Sequence, residues 1–265
     1  MTSPFNYTGK NVIVFGGTSG INLGIAEGFA KAGARVAVCS RSEDKVNAAV
    51  ELLKSHGSDA CGYSLDVRDQ DAVKSALKAF HDTAGDIDVV ISGAAGNFPA
   101  PALGMSANGF KAVVDIDLMG TFHVMQSCFD YLKKPGAAIV NISAPQAFIP
   151  MMMQSHVCAA KAGVDMLTKT LAQEWGPMGV RINSISPGPI DGTEGMARLA
   201  PTEAARKATE KSVPLKRMGT PSEIGDAAMF LCSDQAAYIS GVVLPVDGGW
   251  ATAGAGANMA GNLMG

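Results

Sequence analysis

Short apolar, β-branched runs alternate with longer helix-patterned stretches along nearly the whole chain, and this alternation limits the fold more than any other feature. NVIVFGG (11–17) leads through glycines into INLGIAEGFAKAG (21–33). RVAVCSR (35–41) and CGYSLDV (61–67) are strand-like, and RDQDAVKSALKAFHDTAG (68–85) is helical. IDVVISG (87–93) is the fourth strand, followed by a long helix over 111–134 and a fifth strand in GAAIVNISA (136–144). A strong helix at 156–176, the strand VRINSISP (180–187), a helix at 223–233 and the strand GVVLPVDGG (241–249) complete the series. Near-continuous apolar strands joined by crossover helices imply a parallel sheet covered on both faces. Right-handed crossovers make it doubly wound. The expectation is a seven-stranded α/β sheet in one domain over 1–265. The least regular stretch, Asp191 to Arg217, is a candidate substrate lid, because ligands bind beyond the carboxyl ends of such strands.

The 265 residues are 47% hydrophobic, enough for one α/β domain with a substantial core. A net charge of −3 supplies no basic field for nucleic acid or an anionic membrane. No apolar run reaches membrane-spanning length. The five cysteines show no paired spacing and no metal-ligand pattern. With a polar start (MTSPFNYTGKN) and an ending, NLMG, that matches no sorting signal, they lead to the expectation of a cytoplasmic protein with reduced thiols and no metal.

Gly16-Gly17-Thr18-Ser19-Gly20-Ile21 follows the first strand and opens the first helix. Glycines there let main chain approach a pyrophosphate, and a helix N-terminus offers free N–H groups and the positive end of its dipole. The context is that of a Rossmann dinucleotide site; a tight turn without ligand is the competing reading. The second strand ends in Ser40-Arg41 where an NAD site would carry a carboxylate. A hydroxyl and a planar guanidinium suit the 2′-phosphate of NADP(H), against the alternative of a solvated surface arginine.

These residues resemble the glycine loop of the short-chain dehydrogenases/reductases. Phe15 stands where that family usually has Thr and Asn22 where its last glycine sits, from which Asn22 is read as a helix cap. The resemblance implies that Asp66-Val67 border the adenine and that Ala94-Ala95-Gly96 approach the cofactor in place of the family's NNAG. It implies that Lys161 binds the nicotinamide ribose and that Pro187-Gly188-Pro189-Ile190 meet the carboxamide. The usual catalytic Tyr, four residues before that Lys, is Val157 here; the usual Ser is Ala144 and the usual Asn is Asp117. Loss of a general acid typically costs about 10²–10⁴ in rate, which disfavours routine ketone chemistry. Conjugate reduction needs donors at a thioester oxygen and a proton delivered to carbon, and does without the phenol.

Within the family, the chain is similar to the 2,4-dienoyl-CoA reductases, above all the peroxisomal type. The similarity rests on Ala94-Ala95-Gly96-Asn97-Phe98, Asp115-Ile116-Asp117 and the run from Pro187 to Gly195. By this resemblance Asp117 and Lys161 share a water that protonates the substrate carbon, and Asn97 orients the acyl group. Asp247 either joins that cluster or is a turn residue. His156 is read as structural or substrate-lining, and Met151-Met152-Met153 as an acyl channel or a packed loop. The implied function is an NADPH-dependent reductase of a conjugated acyl thioester in fatty acid metabolism, assembled as a homotetramer through long helices, last strand and C-terminal tail. The alternatives are a reductase or dehydrogenase for another carbonyl or alcohol, with His156 as repurposed acid, and a non-catalytic NADP-binding protein.

Overall fold

The computed structural model describes residues 5–252. Seven parallel strands form one sheet in the order β3-β2-β1-β4-β5-β6-β7. They are β1 (Asn11–Phe15), β2 (Arg35–Ser40), β3 (Ala60–Ser64), β4 (Val89–Ser92), β5 (Ala138–Ile142), β6 (Arg181–Pro187) and β7 (Val243–Val246). Alternate residues of each strand serve opposite layers, as the two-residue pleat requires. Val12, Val14, Val36, Val38 and Ile91 face a core shared with α1 (Gly20–Lys31), α2 (Glu43–Ser55) and α9 (Pro221–Cys232). Ile13, Phe15, Ala37, Val90 and Ile139 face a second core, shared with α3 (Gln70–Ala84), α5 (Gly120–Cys128) and α6 (Ser155–Trp175). Strand order reverses between β1 and β4, and the crevice opens beyond their carboxyl ends.

Three segments differ from the sequence-based expectation. Helix α2 fills the gap between the second and third strands; it buries only Val46, Ala49 and Leu53, a stripe too thin to stand out. The helix expected over 111–134 begins earlier, as α4 (Ala107–Val114), and passes through a π-helical turn at Asp115–Met119 into α5. The stretch 191–217 is not irregular: it holds α7 (Glu194–Leu199) and α8 (Glu203–Ser212), whose caps Thr193 and Thr202 accept from Met196 N and Ala205 N. The tail expected to join a subunit contact lies, from residue 253, outside the described residues. Among the described residues no helix is long and apolar enough to cross a membrane, and no cluster of three His, Cys, Asp or Glu converges as a metal site.

Candidate active site

A cavity of about 660 Å³ lies at the strand-order switch. Every residue expected to touch the cofactor lines it: Gly16, Thr18, Ser19, Gly20, Ile21, Ser40, Arg41, Asp66, Val67, Ala94, Ala95, Gly96, Lys161, Pro187, Gly188 and Ile190. Asp117 and Asn97 line it too.

The glycine turn fits a diphosphate. Gly16 takes φ +77°, and a Cβ there would come within 2.9 Å of Ala94 N, so only bare main chain fits between β1 and the end of β4. Ser19 is the N-cap of α1, yet its side chain makes no capping hydrogen bond, leaving hydroxyl and first-turn N–H groups facing the cavity. Asn22 is inside α1 and does not cap it: its Nδ2 donates to Gly93 O at 2.7 Å. A Cβ on Gly93 would sit 2.2 Å from Asn22 Oδ1, so the enlarged residue on the helix meets a residue with no side chain on the strand.

At the end of the cavity beside β2, Arg41 and Lys45 line it next to Ser40. Asp66 accepts a forked pair of bonds from Arg68, which holds its carboxyl below the ordinary range against the opposing effect of burial; Arg41 also contributes. Lys45 escaped the sequence reading because nothing in its pattern separates it from other helix-surface lysines.

At the opposite end, Lys161 Nζ donates to Ile142 O at 3.0 Å and lies 3.3 Å from Asp117 Oδ2. Asp117 Oδ1 accepts from Gly96 N at 2.7 Å. The two side chains are 6% and 1% exposed, so the charges neutralise each other away from bulk water. The π turn carries Asp117 into this position. Val157 and Ala144 also line the cavity at this end, next to Ser143 and Gln146. Behind Lys161, one turn along α6, Asp165 is buried, and desolvation raises its carboxyl above the ordinary range despite Ser143, Lys169 and Lys161.

Three further expectations resolve. Asp247 does not join the Asp117–Lys161 cluster: its oxygens accept from Gly249 N and Ala251 N, both at 2.8 Å, making it a turn residue. His156 is fully buried but does not line the cavity; its ring packs on Phe98, with centroids 4.6 Å apart. Of the three methionines only Met151 lines the cavity, while Met152 is exposed and Met153 O accepts from Ala100 N. Two glutamines are linked to Asn97. Gln146 lines the cavity and donates Nε2 to Gln154 Oε1 at 2.8 Å; Asn97 Nδ2 approaches the same oxygen at 3.5 Å. Gln154 is buried immediately before α6, where no periodicity marks it.

Helix α7 crosses the opening. Glu194 pairs with Lys45 at 3.4 Å on the α2 side and with Arg198 at 3.4 Å; Arg198 donates to Asn97 O at 3.3 Å on the other.

Residues 16–251 match a family profile described as Enoyl-(Acyl carrier protein) reductase. The chain is similar to a rat (Rattus norvegicus) protein named peroxisomal 2,4-dienoyl-CoA reductase: 43% identity over 246 residues, covering 92% of this chain and 84% of the rat protein. A Bacillus subtilis protein named probable 2,4-dienoyl-CoA reductase is 40% identical, covering 91% of this chain and 96% of its own length. The crystal structure of a short chain dehydrogenase from Bacillus anthracis superposes with a TM-score of 0.82 at 40% identity, covering 91% of this chain and 96% of that one.

Proposed function

The chain belongs to the short-chain dehydrogenase/reductase family, and from that membership we propose that it is an NADPH-dependent reductase of conjugated enoyl thioesters, with 2,4-dienoyl-CoA esters as substrates. The observation that carries the proposal is the buried Lys161–Asp117 pair on the cavity wall, with Val157 and Ala144 where a phenol and a hydroxyl would serve a ketone. The curated names of the rat and Bacillus subtilis relatives point to the same substrate class.

Bound NADPH supplies the hydride. The turn from Gly16 to Ile21 would offer main-chain N–H groups to its pyrophosphate, and Ser40 with Arg41 would take the 2′-phosphate. Asp66 and Val67 would flank the adenine, while Ala94, Ala95, Gly96, Pro187, Gly188 and Ile190 would shape the space for the nicotinamide half. Lys161, whose Nζ donates to Ile142 O, would hold the ribose through its remaining N–H groups. Asp117, fixed by Gly96 N, orients with Lys161 a water that delivers the proton to carbon. Asn97 binds the acyl group, and the segment 191–217 closes over it. Breaking the buried pair from one side leaves a lone charge, so Asp117→Asn should lower kcat by about 10²–10⁴.

The alternative in which His156 is the acid loses support from its absence at the cavity wall. The five free cysteines accord with a reducing cytoplasm, and a homotetramer would cover exposed apolar side chains such as Met119 and Met166. The deciding experiment is NADPH oxidation with a 2,4-dienoyl-CoA, with the product identified by mass spectrometry. Consumption of both with gain of two hydrogens is expected; absence of turnover by protein that binds NADPH ends the proposal.

A further inference from the structure

A polar column between α6 and the strands it covers reaches the cavity beside Lys161. Within the column, Asn141 Nδ2 donates to Thr168 Oγ1 of α6 at 2.8 Å, and Thr168 pairs with Ser184 at 2.8 Å. Strand residues alternate in direction, so Ser143, two positions after Asn141, continues on the α6 face. Ser143 also lines the cavity, and it follows Ile142, whose main-chain oxygen accepts from Lys161 Nζ. Asp165 lies four residues after Lys161, on the same face of α6, and does not line the cavity. Ser143 Oγ and Asp165 Oδ1 are both enclosed without a hydrogen-bond partner. Buried polar atoms are nearly always paired, so two orphans of neighbouring residues call for an account. Asp165 is not sealed off, since it keeps 7% exposure. Burial raises its carboxyl above the ordinary range, while the Ser143 hydroxyl and the Lys169 and Lys161 ammoniums of its own helix act the other way. A carboxyl raised toward the working pH both takes up and gives up protons readily.

We propose that Asp165 and Ser143 form the path by which solvent protons enter the active site, Asp165 passing each proton through the Ser143 hydroxyl to the water held by Lys161 and Asp117. This rests on the reductase reading above, because each reduction consumes one proton from solvent. The steps balance. Hydride arrives at one carbon of the substrate and the water's proton at another, leaving hydroxide. The Ser143 O–H bond breaks as its proton moves to the hydroxide, and Oγ takes the proton of Asp165. The carboxylate left behind, steadied by Lys161 and Lys169, is reloaded from solvent. In the loaded state the Asp165 O–H donates to Ser143 Oγ, which gives both orphans a partner. Asp165 touches neither substrate nor cofactor and acts through Ser143. Lys161 is spared from giving up its own proton, so its buried pair with Asp117 stays intact through the cycle.

Two readouts on the full chain test the path. The first needs no turnover: infrared titration of the NADP⁺-bound protein. The carboxylic acid band of Asp165 should be missing from Asp165→Asn. In Ser143→Ala it should persist to higher pH than in wild type, because Ser143 favours the ionised carboxyl. The second is stopped-flow NADPH oxidation with excess 2,4-hexadienoyl-CoA. In Asp165→Asn and Ser143→Ala the first turnover should keep the wild-type rate, because the held water supplies its own proton. Later turnovers should slow by about 10²-fold. Added formate should speed them and Asp165→Glu should restore them, neither of which a purely structural role produces. Should Asp165→Asn fail to fold, Ser143→Ala decides alone. Wild-type turnover in either variant overturns the proposal, as does equal slowing of first and later turnovers. An acid band indifferent to Ser143→Ala refutes the path whatever the turnover; no turnover by wild type refutes the reductase reading whatever the band does.

Discussion

Asn22 and Gly93 show how one side chain can be exchanged across a contact. The carboxamide on α1 occupies the volume that a residue at 93 would fill, and its Nδ2 closes on Gly93 O at 2.7 Å. Gly93→Ala should therefore push α1 away from β4 and lower NADPH affinity at least about tenfold, an effect of some 1.4 kcal/mol or more by calorimetry. Asn22→Gly added to it should recover most of the loss; if the double variant binds no better, the contact is not the cause. The sequence showed both departures, Asn22 and the missing asparagines near 93, but not that they face each other, since residues 71 positions apart are related only by the fold. The same limit hid the approach of Gln154 to Asn97, 57 positions apart. What the sequence did carry, Lys161 and Asp117, came through the residues that surround them in the short-chain dehydrogenase/reductase pattern.

At the scale of elements, α1 and α9 pack so closely that a Cβ on Gly24 would lie 2.5 Å from Pro221 Cβ. The start of α9 is correspondingly well fixed: Thr220 and Glu223 form a reciprocal capping box, and Arg217 holds Glu223 through two bonds. Thr220→Ala should cost about 1 kcal/mol of unfolding free energy in a denaturant titration. Arg217 lowers the Glu223 carboxyl from the ordinary 4.5 to about 2, against a smaller effect of burial. Because the folded value lies below the unfolded one, this contribution is complete above pH 4.5 and fades as pH falls toward 2. Glu223→Gln should thus lose stability at neutral pH yet converge with wild type near pH 2; the effect is modest because the pair is solvent-screened. The strands were legible because apolar runs of this kind fold the same way in any parallel sheet. Helices α2, α7 and α8 were not, because they bury little or nothing and local caps, rather than an apolar stripe, define them.

For the molecule as a whole, one reversal of strand order sets the cavity between two cores, with glycine turn, Arg41 and Lys161 spread along it. A ligand spanning that length stabilises the entire sheet: NADPH at a hundred times its Kd should add about 2.7 kcal/mol to unfolding. Arg41→Ala should remove about 1.5–3 kcal/mol of NADPH binding and leave NADH unaffected, which paired thermal-shift titrations will read.

The crossing of α7 from Lys45 to Asn97 has a consequence for ionic strength. Its fastenings are solvent-exposed, with Lys45 and Glu194 side chains 56% and 64% exposed, whereas the Lys161–Asp117 pair is enclosed. Potassium chloride screens the first kind and barely reaches the second. In stopped-flow traces, added salt should speed ligand exit while leaving the rate of hydride transfer flat. Equal sensitivity of both steps would mean that the crossbar does not govern passage.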